Sequence, residues 1–141
     1  MTLPSATHLV LIPSYNTGPR LADTVANALT QWSPIWVVVD GSTDGSAAPV
    51  EALAQREPRV RVIVRRENGG KGAAVATGVA AALAAGFTHV LTMDSDGQHP
   101  ADRIPDFMAA SQAEPRAVVL GRPVFGPEVP LERLRGRKLR V

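Results

Sequence analysis

The chain has no cysteine. Disulfide staples, thiolate zinc sites and a cysteine nucleophile are excluded together, and the absence fits a reducing compartment. Aromatic residues are few, at two Trp, one Tyr and three Phe, and none interleaves with the arginines of RLRGRKLR, residues 133–140. That argues against a groove for single-stranded nucleic acid, which stacks bases on aromatic rings. No apolar run is long enough to cross a bilayer: the most apolar stretch, GAAVATGVAAALAAGF, is short and mostly alanine. The first residues, MTLPSATHLVLIP, have neither the basic start nor the long apolar core of a signal peptide. A soluble, cytoplasmic chain is expected. Net charge is also small, at +2, but it is unevenly placed. Residues 122–141 hold six Arg or Lys against Glu128 and Glu132, a local +4, which leaves −2 for everything before them. Such a tail is either a solvated helix face or a contact for lipid phosphates, an anionic substrate or, as a minor option, nucleic acid.

What is present reads as one globular domain: 141 residues, 45% hydrophobic and 20% charged. Four short runs rich in Val, Ile and Leu predict buried strands at His8 to Pro13, Ile35 to Asp40, Val60 to Arg65 and Thr88 to Asp94. A weaker fifth is AVVLG, Ala117 to Gly121. Helices are expected between them, over Arg20 to Gln31, Ala47 to Arg56, Lys71 to Ala85 (with Gly86 as its C-terminal stop) and Ala101 to Glu114. Strand alternating with helix implies a mainly parallel sheet joined by right-handed crossovers, with helices on both faces. The fold class is therefore α/β. The division expected is an α/β domain over residues 1–121, followed by 122–141 as a basic tail, a linker or a truncated continuation.

In such sheets ligands bind beyond the C-terminal strand ends, and every predicted strand end here is polar. They read PSYNTG, GSTDGS, ENGGKG and SDGQHP in turn. Asp94, Asp96 and Gln98 are two residues apart, so in an extended segment their oxygens share one side. Three such donors suit Mg²⁺ or Mn²⁺, which share coordination with substrate phosphates. The alternative is an Asx turn after Asp94, with Asp96 capping the helix after Pro100. His99 is a further candidate ligand or simply an exposed loop histidine. Lys71 and Gly72, at the start of a helix behind a run of glycines, suit an anion; the other reading is a turn in which Gly72 lets helix and sheet approach closely. Asp40, at a strand tip, is placed to contact a ribose or base, whereas Asp44 and Ser46 read as turn and cap residues.

Taken in order, IPSYN, VVVDGSTDGS, ENGGKGAAVATG and MDSDGQHP resemble the inverting glycosyltransferases of family 2, which have the Rossmann-like GT-A fold. DSDGQHP is similar to a stretch of the branch that includes dolichol- and polyprenyl-phosphate mannosyltransferases. The resemblance implies a nucleotide-sugar donor, UDP- or GDP-linked. Asp94, Asp96 and Gln98 would hold the metal and diphosphate, with Pro13, Tyr15 and Asp40 in the nucleoside pocket and Lys71 and Gly72 bordering it. It also implies catalytic roles for Asp96 and for Arg122, a phosphate-handling arginine, with Arg133 a second. The acceptor implied is a polyprenyl phosphate or a glycan, the basic tail giving peripheral contact with the cytoplasmic face of a membrane; no nucleic acid is expected. Thr17 stands where the family commonly has an acid, and Val39 where it has the first of two. The family's general base and acceptor-side helices lie beyond the span matched, so an incomplete domain is expected, either a fragment or a shortened product. The alternatives are a non-catalytic nucleotide-sugar-binding module or inactive remnant and, ranked lower, a nucleotidyltransferase.

Overall fold

The computed structural model describes residues 3–122. The elements run β1 (His8–Ser14), α1 (Arg20–Leu29), β2 (Ile35–Asp40), α2 (Ala47–Arg56), β3 (Val60–Arg65), α3 (Lys71–Ala84), β4 (His89–Thr92), a 3-10 turn (Ala101–Arg103) and α4 (Ile104–Ala113). The four strands form one parallel sheet in the order β3-β2-β1-β4. The sheet builds outward from β1 through β2 to β3 and then returns to the other side of β1.

β1 and β2 are buried at every residue, as their unbroken apolar runs require. Their side chains alternate between two cores. Val10, Ile12, Ile35, Val37 and Val39 pack with α1, α2 and α4 through Leu21, Val25, Val50, Ile104 and Met108. Leu9, Leu11, Trp36 and Val38 face α3. Helix α1 buries Leu21, Thr24, Val25 and Ala28, the spacing of one helical face. Helix α3 instead buries Ala74, Gly78 and Ala82, a stripe without bulk. The close approach this permits belongs to Gly78, where a Cβ would stand 2.5 Å from Leu11 Cδ1, and not to Gly72, where it would meet nothing within 4 Å. At the far end of α3, Gly86 takes the positive φ (91°) that only glycine adopts freely. The Gly86 and Phe87 N–H groups donate back to Leu83 and Ala82.

The expected fifth strand does not form. Residues 117–121 pair with no strand, and Val118 and Leu120 are 84% and 83% exposed. Strand propensity counts only where a side chain meets a paired and covered surface; this segment has neither. β4 is also shorter than expected, so Asp94 lies on the loop beyond it. The tail residues from 123 onward, including Arg133, lie outside the described residues.

Candidate functional site

At the C-terminal ends of the strands lies an open cleft of about 620 Å³. It sits where the strand order reverses beside β1, the position at which parallel sheets of this kind leave a crevice. Four loops supply its walls. Pro13, Ser14, Tyr15, Asn16 and Thr17 come from the tip of β1 and Asp40 from that of β2, while Asn68, Gly70 and Lys71 lie between β3 and α3. Asp94, Ser95 and Asp96 follow β4. Arg20, the first residue of α1, completes the rim, so the N-terminal ends of α1 and α3 both open on the cleft.

Asp40 is 2% exposed and forms part of the floor. It ends β2 in register with Arg65 at the end of β3, and Arg65 Nε donates to Asp40 Oδ1 at 2.9 Å. The Gly69 N–H lies 3.2 Å from both carboxylate oxygens and the Gly70 N–H 3.0 Å from Oδ2. A carboxylate has about four acceptor positions, and these contacts occupy them. Asp40 therefore fixes the Gly69–Lys71 turn. Close packing helps: Gly41 has φ 71°, and a Cβ there would lie 2.5 Å from the Asn68 nitrogen.

On the opposite wall the Asp94–Gln98 segment is not extended. It turns at Ser95 and Asp96, with Gly97 at φ 78°. The Gln98 N–H donates to Asp96 Oδ1 at 3.0 Å, so the Asx turn is Asp96's and the following 3-10 turn has no side-chain cap. The alternation that would have put Gln98 beside the two acids is lost in this turn; Gln98 is exposed and does not line the cleft. Asp94 and Asp96 remain together on it. The turn brings His99 back to Asp94, whose N–H donates to His99 Nδ1 at 3.0 Å while His99 Nε2 lies 3.5 Å from Asp94 Oδ2. Lys71 Nζ reaches across the cleft to Asp94 Oδ1.

Hydroxyl groups hold this acidic loop in place. Ser14 Oγ lies 2.8 Å from Thr17 Oγ1, which lies 2.7 Å from Ser95 Oγ. Thr24 Oγ1 donates to the Ser95 carbonyl at 2.9 Å. Nearby, the Gly18 N–H donates to Asp44 Oδ2 at 2.8 Å and the Thr43 N–H to Asn16 Oδ1 at 2.8 Å, so the first two loops are clasped. Asp44 also receives the Ser46 N–H at 3.0 Å as a turn residue, but Ser46 makes no side-chain cap.

Of the residues singled out from the sequence, Pro13, Tyr15, Asp40, Lys71, Asp94 and Asp96 come together. Gly72, Gln98 and Arg122 are exposed and outside the lining. Arg65, Thr17, Ser95 and Arg20 had not been singled out as site residues. The signal for Arg65 was available: an arginine closing one apolar strand next to an aspartate closing another. The hydroxyl contacts span 78 residues of sequence, from Thr17 to Ser95, and no local pattern announces them.

The chain matches the family model "Glycosyl transferase family 2" over residues 9–140. It is similar to the polyprenol monophosphomannose synthase of Mycolicibacterium smegmatis, 35% identical over 130 residues that cover 89% of this chain and 49% of that one. It is also similar to the undecaprenyl-phosphate mannosyltransferase of Micrococcus luteus, at 32% identity over 72% of this chain and 43% of the relative. The chain thus spans about half, or less, of these relatives' length. Among solved structures, the mannosyltransferase PcManGT from Pyrobaculum calidifontis, in complex with GDP-Man and Mn²⁺, matches with a TM-score of 0.56 and 25% identity. That match covers 68% of this chain and 29% of the other. S. aureus TarS matches in fold with a TM-score of 0.60 and 24% identity, over 85% of this chain and 38% of its own.

Proposed function

Because the chain belongs to glycosyl transferase family 2, we propose that its cleft is the donor side of an inverting glycosyltransferase site. It binds a nucleotide-diphosphate sugar together with Mg²⁺ or Mn²⁺ at Asp94 and Asp96, and presents the sugar to an acceptor, for which polyprenyl phosphate is the leading class. One observation carries this reading: two carboxylates line the crevice at the strand-order reversal together with Tyr15 and with Lys71, the first residue of α3. The relatives named for polyprenol and undecaprenyl-phosphate chemistry, and the GDP-Man and Mn²⁺ bound by PcManGT, support the donor and acceptor classes.

The donor set fits a hard cation. Among the described residues there is no cluster of three or more His, Asp or Glu able to hold a metal. The chain would offer two carboxylates and leave the remaining positions to diphosphate oxygens and water, as Mg²⁺ sites commonly do. When bound, the ion neutralises charge gathering on the departing diphosphate. The chain's own groups do the positioning. The exposed Tyr15 ring offers a face for the base. The Lys71 ammonium and the first amides of α3 meet the phosphates. Asp40 holds the turn from which Lys71 projects. The acceptor oxygen then attacks the anomeric carbon on the face opposite the leaving group. A phosphate acceptor is already an anion and needs no strong general base. Gln98 and Arg122 are assigned no contact. With a polyprenyl phosphate the reaction takes place at a membrane surface, and the basic residues of 133–140 supply the lipid contact; no helix of the described residues is long and apolar enough to cross a membrane.

A second reading is a donor-binding module without turnover, because every group assigned to the cleft above meets the donor and none meets the acceptor. Transfer of radiolabelled mannose from GDP-mannose to a polyprenyl phosphate in the presence of Mn²⁺ separates the two. Labelled lipid establishes the enzyme, donor binding without transfer or hydrolysis selects the module, and no nucleotide binding overturns both.

A further inference from the structure

Lys71 sits where its charge serves a purpose that the donor site alone does not define. Asp94 and Asp96, two residues apart, both line one cleft. Lys71 Nζ lies on Asp94 Oδ1, on the side of that carboxylate away from His99, which approaches Oδ2. The pair is open to water, with side chains 64% and 34% exposed. Lysine is a compact point charge on a flexible four-carbon stem, and such an exposed ion pair is held weakly. It can neutralise Asp94 and still be displaced.

We propose that Lys71 is an exchangeable counter-ion for Asp94: its ammonium holds the carboxylate until a divalent cation arrives with a diphosphate, and then passes to a phosphate oxygen. This rests on the donor-site reading above and adds an order to it. A cation arriving alone must displace the ammonium and leave it without a partner. A cation arriving with a diphosphate supplies a new partner for the ammonium in the same cleft. Binding of metal and nucleotide is therefore mutually reinforcing, and Lys71 is the positioning residue that couples them. The position of Lys71 at the first residue of α3 makes the transfer short, because the amides that favour phosphate belong to the same helix turn.

The test uses the full 141-residue chain, with free Mn²⁺ followed by electron paramagnetic resonance and GDP affinity by calorimetry. Lys71→Met is expected to bind Mn²⁺ alone about fivefold tighter than wild type, the worth of one exposed ion pair. The same variant should bind GDP at saturating Mn²⁺ at least about fivefold more weakly. Opposite signs in one variant are the signature; a merely structural role would weaken both. Lys71→Arg should stay close to wild type in both. Arg20→Met removes a cleft charge that makes no ion pair with Asp94, and should raise Mn²⁺ affinity less. The proposal is overturned if Lys71→Met leaves Mn²⁺ affinity unchanged or lowers it, or if Arg20→Met raises it equally. If wild type and Lys71→Met both bind no Mn²⁺, with or without GDP, the donor-site reading itself fails and takes this inference with it. Unchanged thermal melts, expected for an exposed lysine, keep the comparison free of folding effects.

Discussion

Replacing Arg65 with methionine tests how the tips of β2 and β3 hold the cleft floor. Asp40 is almost fully buried, and Arg65 is its only side-chain donor among the described residues, the other two being the Gly69 and Gly70 amides. Arg65 Nη1 also donates to Thr77 Oγ1 at 2.5 Å and to the Ala73 carbonyl at 3.2 Å, so it ties two strand tips to α3. Losing one partner of a buried ion pair costs about 3–5 kcal/mol. The Arg65 side chain is 30% exposed, and water replaces part of what is lost, so about 2–3 kcal/mol is expected. Asp40→Asn turns an acceptor into a donor facing other donors and should cost about 2–3 kcal/mol as well. The double variant should cost about 3–4 kcal/mol rather than the sum, a coupling of about 1.5 kcal/mol. Urea unfolding at pH 7, followed by circular dichroism on all four proteins, measures it. A coupling within about 0.5 kcal/mol of zero would show that the pair does not hold the floor.

Three further outcomes follow from separate parts of the molecule. Thr17→Val cuts the hydroxyl chain between Ser14 and Ser95; it should lower stability by about 1–2 kcal/mol, and Thr17→Ser should recover most of the loss in the same urea assay. Gly78→Ala improves intrinsic helix propensity by about 1 kcal/mol, yet the added Cβ falls 2.5 Å from Leu11 Cδ1. A net loss of about 1–2 kcal/mol is expected, and a raised melting temperature would contradict the packing described for α3. The third concerns acid. His8 is 5% exposed, is stacked on His89 with ring centroids 4.2 Å apart, and has Nε2 3.1 Å from Ser111 Oγ. Burial, and secondarily the His89 charge, lower its pKa from the ordinary 6.5. The unfolded chain therefore takes up this proton more readily than the folded one, and its stabilising contribution, full above pH 6.5, is lost as pH falls toward the folded pKa. The urea midpoint should drop between pH 7 and pH 5 in wild type and drop less in His8→Gln.

The sheet was legible because its physics is local. Unbroken Val, Ile and Leu runs bounded by turn residues suit central parallel strands buried on both faces, as β1 and β2 are, and β2, α2 and the edge strand β3 fall at the expected residues. Residues 117–121 carry the same composition and form no strand, because an edge and a covering face are tertiary facts that five residues do not contain. The site divides in the same way. Polar loops at the strand ends pointed to the cleft, and Asp94 and Asp96 line it. Gln98 was drawn in by assuming an extended backbone, and one glycine at positive φ was enough to turn it away. Asp40 was placed correctly at a strand tip, yet its partner Arg65 depends on the register of two strands separated by a whole helix. The Lys71–Asp94 pair joins loops 23 residues apart and becomes visible only once β4 is seen beside β1.

Calorimetric titration of GDP-mannose into the chain, with Mn²⁺ and then with chelator, addresses the donor site most directly, using wild type and Asp96→Ala. Saturable binding that requires the metal and disappears in Asp96→Ala, with the thermal melt of that variant unchanged, is the predicted result. Binding of equal strength in chelator, or an Asp96→Ala protein that binds as wild type does, would contradict a cation-bridged diphosphate between the β4 loop and the tip of β1.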